Sequence, residues 1–423
     1  MKTIGFVGLG KLGLPVALAV ESKGYKVCGW DESQKVREGI CAKKIPYNEK
    51  GAQEALERSE IELPRIEVLV QKAELIFVAV QTPHQAKFEG IEPLTGWRQD
   101  FSYGFLESAV RHVCRELVKQ NLKRTVVIIS TVLPGTLRRL VFPIIEQEGA
   151  TEHCRLVYNP FFIAMGTAMQ DFLEPEFVLV GVNQKEPAEE LKSFYRTIHR
   201  RPVYATTVEN SELIKVIYNT YISTKIAFAN TVMEMCHKLP NTDCDEVVEA
   251  LALGTKRIIS PAYMKGGMGD GGGCHPRDNI ALSWLARNLD LSYDWFDSIM
   301  RARDQQTHYL AKLICNYRAR YDLPIVLMGR AFKADSNIEV GSPARLLAWY
   351  LKDKEVPFEV YDPYFEDAGK VPDGQPSIYF IATKHTDWKS FKFPATSVVL
   401  DPWRYLKSET RRCDCIYVPI GGR

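Results

Sequence analysis

The 423-residue chain has no run approaching the roughly eighteen apolar residues that a membrane span requires. Its amino terminus enters an apolar, strand-like segment at Ile4 with no signal-peptide layout, so no membrane contact is expected and the cytoplasm is the expected compartment. There is no C-x-x-C pair and no H-E-x-x-H, and the eight histidines are dispersed; no metal is expected. An excess of one charge is missing too. Lys plus Arg number 54 against 52 Asp plus Glu, a formal net charge of +2, which leaves no footprint for a polyanion and makes nucleic acid an unexpected partner. Low-complexity segments and internal repeats are absent. The ten cysteines are scattered through a long chain without a secretory segment, so free thiols are expected rather than a disulfide framework.

What is present is ordinary globular composition, 46% apolar and 25% charged. At about 150 residues per domain, the length suggests two or three domains. Residues 3–9 form a short apolar run that breaks into glycine and resumes with helical character. Strand candidates follow at 26–30, 75–80, 125–130 and 177–181, with helix-like segments between several of them, as in an open parallel α/β sheet. From Asn210 a long segment without Gly or Pro until Pro240 reads as one helix, and a second helical stretch covers about 244–253. Strand candidates restart at 324–329, before Asp362, at 377–382 and at 397–401, around a helix at 342–352. The expected fold is α/β, with two Rossmann-like doubly wound domains, 1–205 and 317–423, joined by a central helical region at 206–316 whose apolar surface suits dimerisation.

Gly8-Leu9-Gly10-Lys11-Leu12-Gly13 fits G-x-G-x-x-G between a strand and a helix, where small residues let the backbone approach a pyrophosphate at the helix amino terminus. The next strand ends at Asp31, whose carboxylate can bond a ribose diol and would repel a 2′-phosphate, favouring NAD over NADP. Val80-Gln81-Thr82-Pro83 and the segment from Ser130-Thr131 to Thr136 each follow a strand, at the edge where such sheets bind ligands; turn chemistry alone also accounts for their Thr and Pro.

The segment 266–278 is the most informative. Its glycines allow close backbone approach to a ligand, and Pro276 suits the first turn of a helix. Cys274 would sit at that helix amino terminus, where partial positive charge favours thiolate, and Asp278, four residues on, can hold a water or proton beside the sulfur. A cysteine with a dinucleotide suggests oxidation through a thiohemiacetal and a thioester, although a lone cysteine is also read as a buried thiol. Lys215 and Asn219, four apart on the long helix, could together stabilise an oxyanion, or form a solvated face.

At this point the chain resembles the UDP-glucose/GDP-mannose dehydrogenase family. The motifs GFVGLGKLGLP, STVLPGT, NPFFIAMGTAMQDFLEPEFVLVG, ENSELIKVIYNTYISTKIAFAN, GTKRI, GGGCHPRD and GRAFKADSNIEVGSPA follow in family order over nearly the whole chain. The resemblance implies oxidation of a sugar C6 alcohol to a carboxylate with two NAD, and a homodimer formed through the central helices. It implies Cys274 as nucleophile, Lys215 and Asn219 as the oxyanion pair, and Asp278 and Thr131 as groups that orient water. Gly8, Gly10, Leu12, Gly13, Asp31, Thr82 and Thr131 fall to the cofactor. Phe161, Phe162, Met165, Lys215, Asn219, Arg257, Gly271, Lys333 and Arg404 fall to the nucleotide sugar, with Arg257 reaching the neighbouring subunit's site.

Departures accompany the match. Where the family writes N-P-E-F-L-x-E-G, this chain has apolar Phe161 and Met165, and Met165 can neither accept a proton nor orient water by a strong hydrogen bond. Val340 replaces an arginine, and His275, whose imidazole titrates near neutrality, follows Cys274 where an apolar residue is more usual. The expectation is an NAD-dependent nucleotide-sugar 6-dehydrogenase with a UDP-glucose-like substrate. The alternatives are a member that stops at the C6 aldehyde or a stable thioester, and a catalytically silent nucleotide-sugar-binding subunit.

Overall fold

A computed structural model describes residues 2–47, 49–83, 99–164, 166–183, 185–260, 266–271, 275–369, 374–410 and 414–422. Compactness divides the chain after Ser223, inside the long helix, into units 1–223 and 224–423, where the sequence reading places three parts. Each unit is described by itself.

The first unit carries strands β1 (Thr3–Val7), β2 (Lys26–Trp30), β3 (Leu75–Val78), β4 (Arg124–Ile128), β5 (Cys154–Tyr158), β6 (Val178–Gly181) and β7 (Val203–Thr206) in the order β2-β1-β3-β4-β5-β6-β7. Pairing is parallel except between β5 and β6, a departure from the all-parallel expectation. Both faces of the sheet are covered, so its central strands are apolar over most of their length and alternate between two cores. Phe6, Phe77 and Val127 point into one, where Phe6 stacks on Phe77 at 5.1 Å; Val7, Val78 and Ile128 point into the other. Each such fully buried side chain stabilises by about 1.5–3 kcal/mol.

The second unit repeats the plan with β8 (Ile325–Met328), β9 (Glu359–Tyr361), β10 (Ile378–Ile381), β11 (Val398–Asp401) and β12 (Ile416–Pro419), all parallel, in the order β12-β11-β10-β8-β9. Ile378 and Phe380 face one core, Tyr379 and Ile381 the other. The helix Val208–Lys238 runs from the first unit into the second and is followed by helices Cys244–Ala252, His275–Asn288 and Trp295–Tyr321. The helix Pro343–Asp353 opens on Ser342, whose side chain accepts from the Ala344 N–H.

After β8 the chain turns at Gly329 with φ +96°, and a Cβ there would lie 2.4 Å from the Thr383 Cβ. Gly329→Ala therefore combines backbone strain with overpacking, together about 3 kcal/mol. The expected outcome is an unfolding midpoint of the second unit lowered by roughly 6–12 °C, read by thermal denaturation.

Candidate active site

The glycine fingerprint divides its labour. A Cβ on Gly8 (φ +96°) would meet the Ala79 carbonyl oxygen at 2.7 Å, and one on Gly13 would meet the Gly8 oxygen at 2.1 Å. These two positions let the loop lie against β3 and the helix Gly13–Glu21 against the loop. A Cβ on Gly10 would meet nothing within 4 Å, so this position keeps the floor of the loop clear. Asp31, directly after β2, accepts from the Leu9 N–H at 2.7 Å through one oxygen and from the Ser33 N–H at 2.8 Å through the other. The carboxylate is thereby aimed from the end of β2 across the glycine loop.

These groups border a cleft of about 610 Å³, lined among others by Gly8, Gly10, Leu12, Asp31, Thr82 and Thr131, with Trp30 and His112 meeting edge to face at 6.4 Å along it. Its size is that of an ordinary small-molecule site. Two side chains tie its upper loops together: the Thr82 hydroxyl donates to the Thr131 carbonyl at 2.7 Å, and the Ser130 hydroxyl to the Val80 carbonyl at 2.5 Å. The open Gly10, the helix amino terminus beyond it and the fixed Asp31 fit a dinucleotide pyrophosphate and ribose diol.

A second group of residues stands on the helix Val208–Lys238. Lys215 is 8% exposed, and its ammonium donates to the Phe161 carbonyl at 2.7 Å and lies 5.2 Å from the centre of the Phe162 ring. Among the described residues no carboxylate is within ion-pair distance of it, and burial draws its pKa below the ordinary lysine value. The Phe161 ring packs on Phe172 in the core, whereas Phe162 sits among Phe177, Tyr218 and the Lys215 ammonium. Asn219, one turn beyond Lys215, borders with Phe162 and Tyr218 an open cavity of about 310 Å³.

Two buried carboxylates that sequence reasoning missed hold these loops. Glu49 accepts from the N–H groups of Gly166 at 2.8 Å and Ala168 at 2.5 Å, anchoring the far end of the 159–168 loop. Its near end is held by Asn159, which donates to the Leu179 carbonyl and accepts from Tyr195. Glu212, fully buried, accepts from Gly135 N–H at 2.6 Å and Leu137 N–H at 2.8 Å; desolvation raises its pKa. The available signal was its position in the ENSELIK segment, three residues before Lys215.

In the second unit, two glycines of the described part of the glycine-rich segment lie close against other protein atoms. A Cβ on Gly267 would lie 2.3 Å from the Trp403 ring, and one on Gly271 would lie 2.8 Å from Pro343 Cδ. These glycines permit close packing of the segment on Trp403 and Pro343. Arg303 donates to the Asp270 carbonyl and carboxylate, Gln306 to the Gly267 carbonyl, and Arg404 to the carbonyls of Gly266 and Ile420. Arg404 thus fixes the segment from outside. Lys333 and Arg257 are exposed, Asp278 lies in the first turn of the helix His275–Asn288, and His275 Nδ1 stands 3.9 Å from Asp270. Cys274, Met165 and the segment 84–98 lie outside the described residues.

Comparison with known proteins joins these parts. The UDP-glucose/GDP-mannose dehydrogenase family, NAD binding domain, matches residues 2–199, and the central domain of the same family matches 209–305. The GDP-mannose 6-dehydrogenase of Pseudomonas aeruginosa is 29% identical over 368 residues, 85% of this chain and 80% of the relative. The UDP-glucose 6-dehydrogenase of Rickettsia conorii is 25% identical over 410 residues, 92% and 90% of the two chains. The crystal structure of a ternary complex of GDP-mannose dehydrogenase from Pseudomonas aeruginosa superposes with a TM-score of 0.84 at 25% identity, covering 94% of this chain and 96% of that one. The cofactor is NAD. Asp31→Asn removes the negative charge expected to accept from the ribose diol, and at about 1.5–3 kcal/mol for a charged hydrogen bond it should weaken NADH binding roughly 10- to 100-fold in a fluorescence titration. With both matched domains in order along one chain, this protein belongs to the UDP-glucose/GDP-mannose dehydrogenase family and is an NAD-dependent nucleotide-sugar dehydrogenase.

Proposed function

We propose that the chain oxidises the C6 alcohol of a nucleotide-linked hexose, UDP-glucose-like, to the carboxylate through covalent intermediates on Cys274. The observation that carries this reading is Lys215: a buried, desolvated ammonium one helical turn from Asn219, in a chain with a dinucleotide cleft and a cysteine preceding a helix amino terminus. NAD, when bound, supplies a hydride acceptor at each of two oxidations. In the first, the alcohol loses a proton and a hydride and becomes an aldehyde. The Cys274 thiolate then adds to the carbonyl carbon, and Lys215 and Asn219 donate to the alkoxide oxygen of the thiohemiacetal. Loss of the second hydride leaves a thioester. Water held by Asp278 and Thr131 attacks it, releasing the acid and the thiol.

Phe161 and the lack of a carboxylate near Lys215 among the described residues favour a second reading, in which hydrolysis is slow and the thioester persists. The test is NADH formed per sugar consumed over a panel of UDP- and GDP-hexoses, with product mass. About two NADH and a gain of carboxylate support full oxidation; about one NADH, or a persistent Cys274 adduct, supports the second reading. Cys274→Ser should abolish acid formation, and unchanged acid output from that variant overturns the nucleophile. Lys215→Ala should cost about 10²–10³ in kcat. Because burial lowers the Lys215 pKa, the wild-type rate should fall on the alkaline side at a pH below the ordinary lysine value of about 10.4.

The homodimer belongs to the same proposal. Leu213, Ile217 and Tyr221 form a stripe at four-residue spacing on the long helix, with exposures of 47%, 53% and 45%. A second copy of the chain covers it. Ile217→Asp should reduce the particle mass in solution to that of a single 48.1 kDa chain, read by light scattering.

A further inference from the structure

Glu212 is a fully buried carboxylate that accepts from two main-chain N–H groups, those of Gly135 at 2.6 Å and Leu137 at 2.8 Å. Among the described residues no cationic side chain is within ion-pair distance of it; Arg138, beside it, bonds Glu209 instead. The two N–H groups belong to the turn that continues the Thr131 loop, in which Gly135 holds φ +84°. Thr136 flanks the same turn, within 3.3 Å of the Tyr103 hydroxyl, which in turn donates to Asp100 at 2.6 Å.

The carboxylate itself stands on the helix that carries the reactive pair. Positions 212, 215 and 219 are separated by three and four residues, so all three share one helix face. At its other end the Thr131 loop is fastened to the β3 loop by the Thr82 hydroxyl. One buried acid therefore links two structures with different tasks: a loop that borders the cofactor cleft, and a helix face that carries Lys215 and Asn219. A carboxylate accepting two N–H bonds at the right spacing fixes both distance and rotation, which a single apolar contact would not.

We propose that Glu212 is a positioning residue, which sets the spacing between the cofactor-side Thr131 loop and the Lys215–Asn219 face and thereby the geometry of hydride transfer. This rests on the proposed dehydrogenase reaction. Its loss misplaces reacting groups while leaving both binding surfaces intact, so it acts on turnover more than on affinity. A displacement of about 1 Å between reacting groups is enough to cost on the order of 10²-fold in rate.

The variant Glu212→Gln keeps the shape and removes the charge, setting an amide N–H against one of the two main-chain N–H groups. It should lower kcat at least about tenfold while the KM for the nucleotide sugar and the affinity for NADH each stay within about threefold. Glu212→Asp keeps both acceptors on a stem one methylene shorter and should recover part of the lost rate. A folded Glu212→Gln protein with kcat within about twofold of wild type overturns the inference. So does a fall of kcat accompanied by a rise in sugar KM and by parallel losses of NADH affinity and unfolding midpoint, which marks a residue that only holds the fold. Should Glu212→Gln fail to fold, Glu212→Asp alone decides: reduced kcat at unchanged affinities supports the inference, and unchanged kcat overturns it. A wild-type chain that forms no NADH with any nucleotide sugar overturns the proposed reaction and this inference with it, whereas wild-type turnover with an unaffected Glu212→Gln overturns the inference alone.

Discussion

A Cβ at Gly8 would lie 2.7 Å from the Ala79 carbonyl oxygen, and the placement of everything around the cofactor cleft follows from the absence of that atom. Without it the loop after β1 lies directly on the loop after β3, and the Ala79 N–H reaches the Val7 carbonyl at 2.7 Å. The Gly8 N–H meanwhile bonds the Trp30 carbonyl at 2.8 Å, which brings the end of β2, and so Asp31, beside the glycine loop. The Ile129 N–H bonds the Val78 carbonyl at 3.1 Å, extending the same contact to the loop after β4. Four strand ends are drawn to one edge, and Asp31, Thr82 and Thr131 arrive around one cleft although a hundred residues of sequence separate the first from the last.

The second unit uses the same wiring for a different result. Gly329 has the same φ of +96°, its N–H bonds the Tyr361 carbonyl at 2.8 Å, and the Ala382 N–H bonds the Met328 carbonyl at 3.0 Å. Asp362 stands after β9 where Asp31 stands after β2. Its surroundings differ: it is 1% exposed and accepts from the N–H groups of Arg330, Ala331 and Tyr364, with His385 Nε2 at 3.2 Å. A carboxylate sealed in this way stabilises its own loop and has no face turned to a ribose. Both acids brace a glycine turn, and only the first is also partly open to the cleft it borders.

Elements with strong local signals were legible: the β1 turn, the helix from 208 to 238, and the apolar strands β2, β3, β4, β8, β10 and β11. Strands β5, β7 and β12 were not, β5 because its apolar run is broken and β7 and β12 because they are edge strands of only four residues. Arg155 interrupts β5, while Tyr204 in β7 and Ile416 in β12 are 58% and 41% exposed. Their existence depends on a partner strand already in place. The site divides along the same line. Glycine spacing and the four-residue interval from Lys215 to Asn219 are local, whereas Glu49 and Glu212 find partners 119 and 77 residues away in sequence. Those partners are backbone N–H groups, which every residue except proline carries, so nothing in the residue types advertises them. The glycines at 267 and 271 are conspicuous in the sequence, yet their close approach to Trp403 and Pro343 is visible only in the fold.

The surroundings of Lys215 bear on two different steps of the proposed reaction. Phe161 and Met165 stand where the family motif has acids, and what the described residues offer the Lys215 ammonium is a carbonyl oxygen and the face of Phe162. A neutralised lysine stabilises a developing oxyanion weakly, because its charge is already spent on its partner. An ammonium compensated only by a dipole and a ring quadrupole retains most of its field, and burial keeps water from screening it. In the proposed reaction, such surroundings therefore strengthen the donor for the thiohemiacetal oxygen, while apolar residues in place of the motif's acids would deprive the final hydrolysis of an acid–base group. The two effects fall on different steps: the first favours reaching the thioester, the second slows leaving it. Under the proposed reaction, the balance between them, rather than the presence of the cysteine, would separate complete oxidation from a stalled acyl-enzyme.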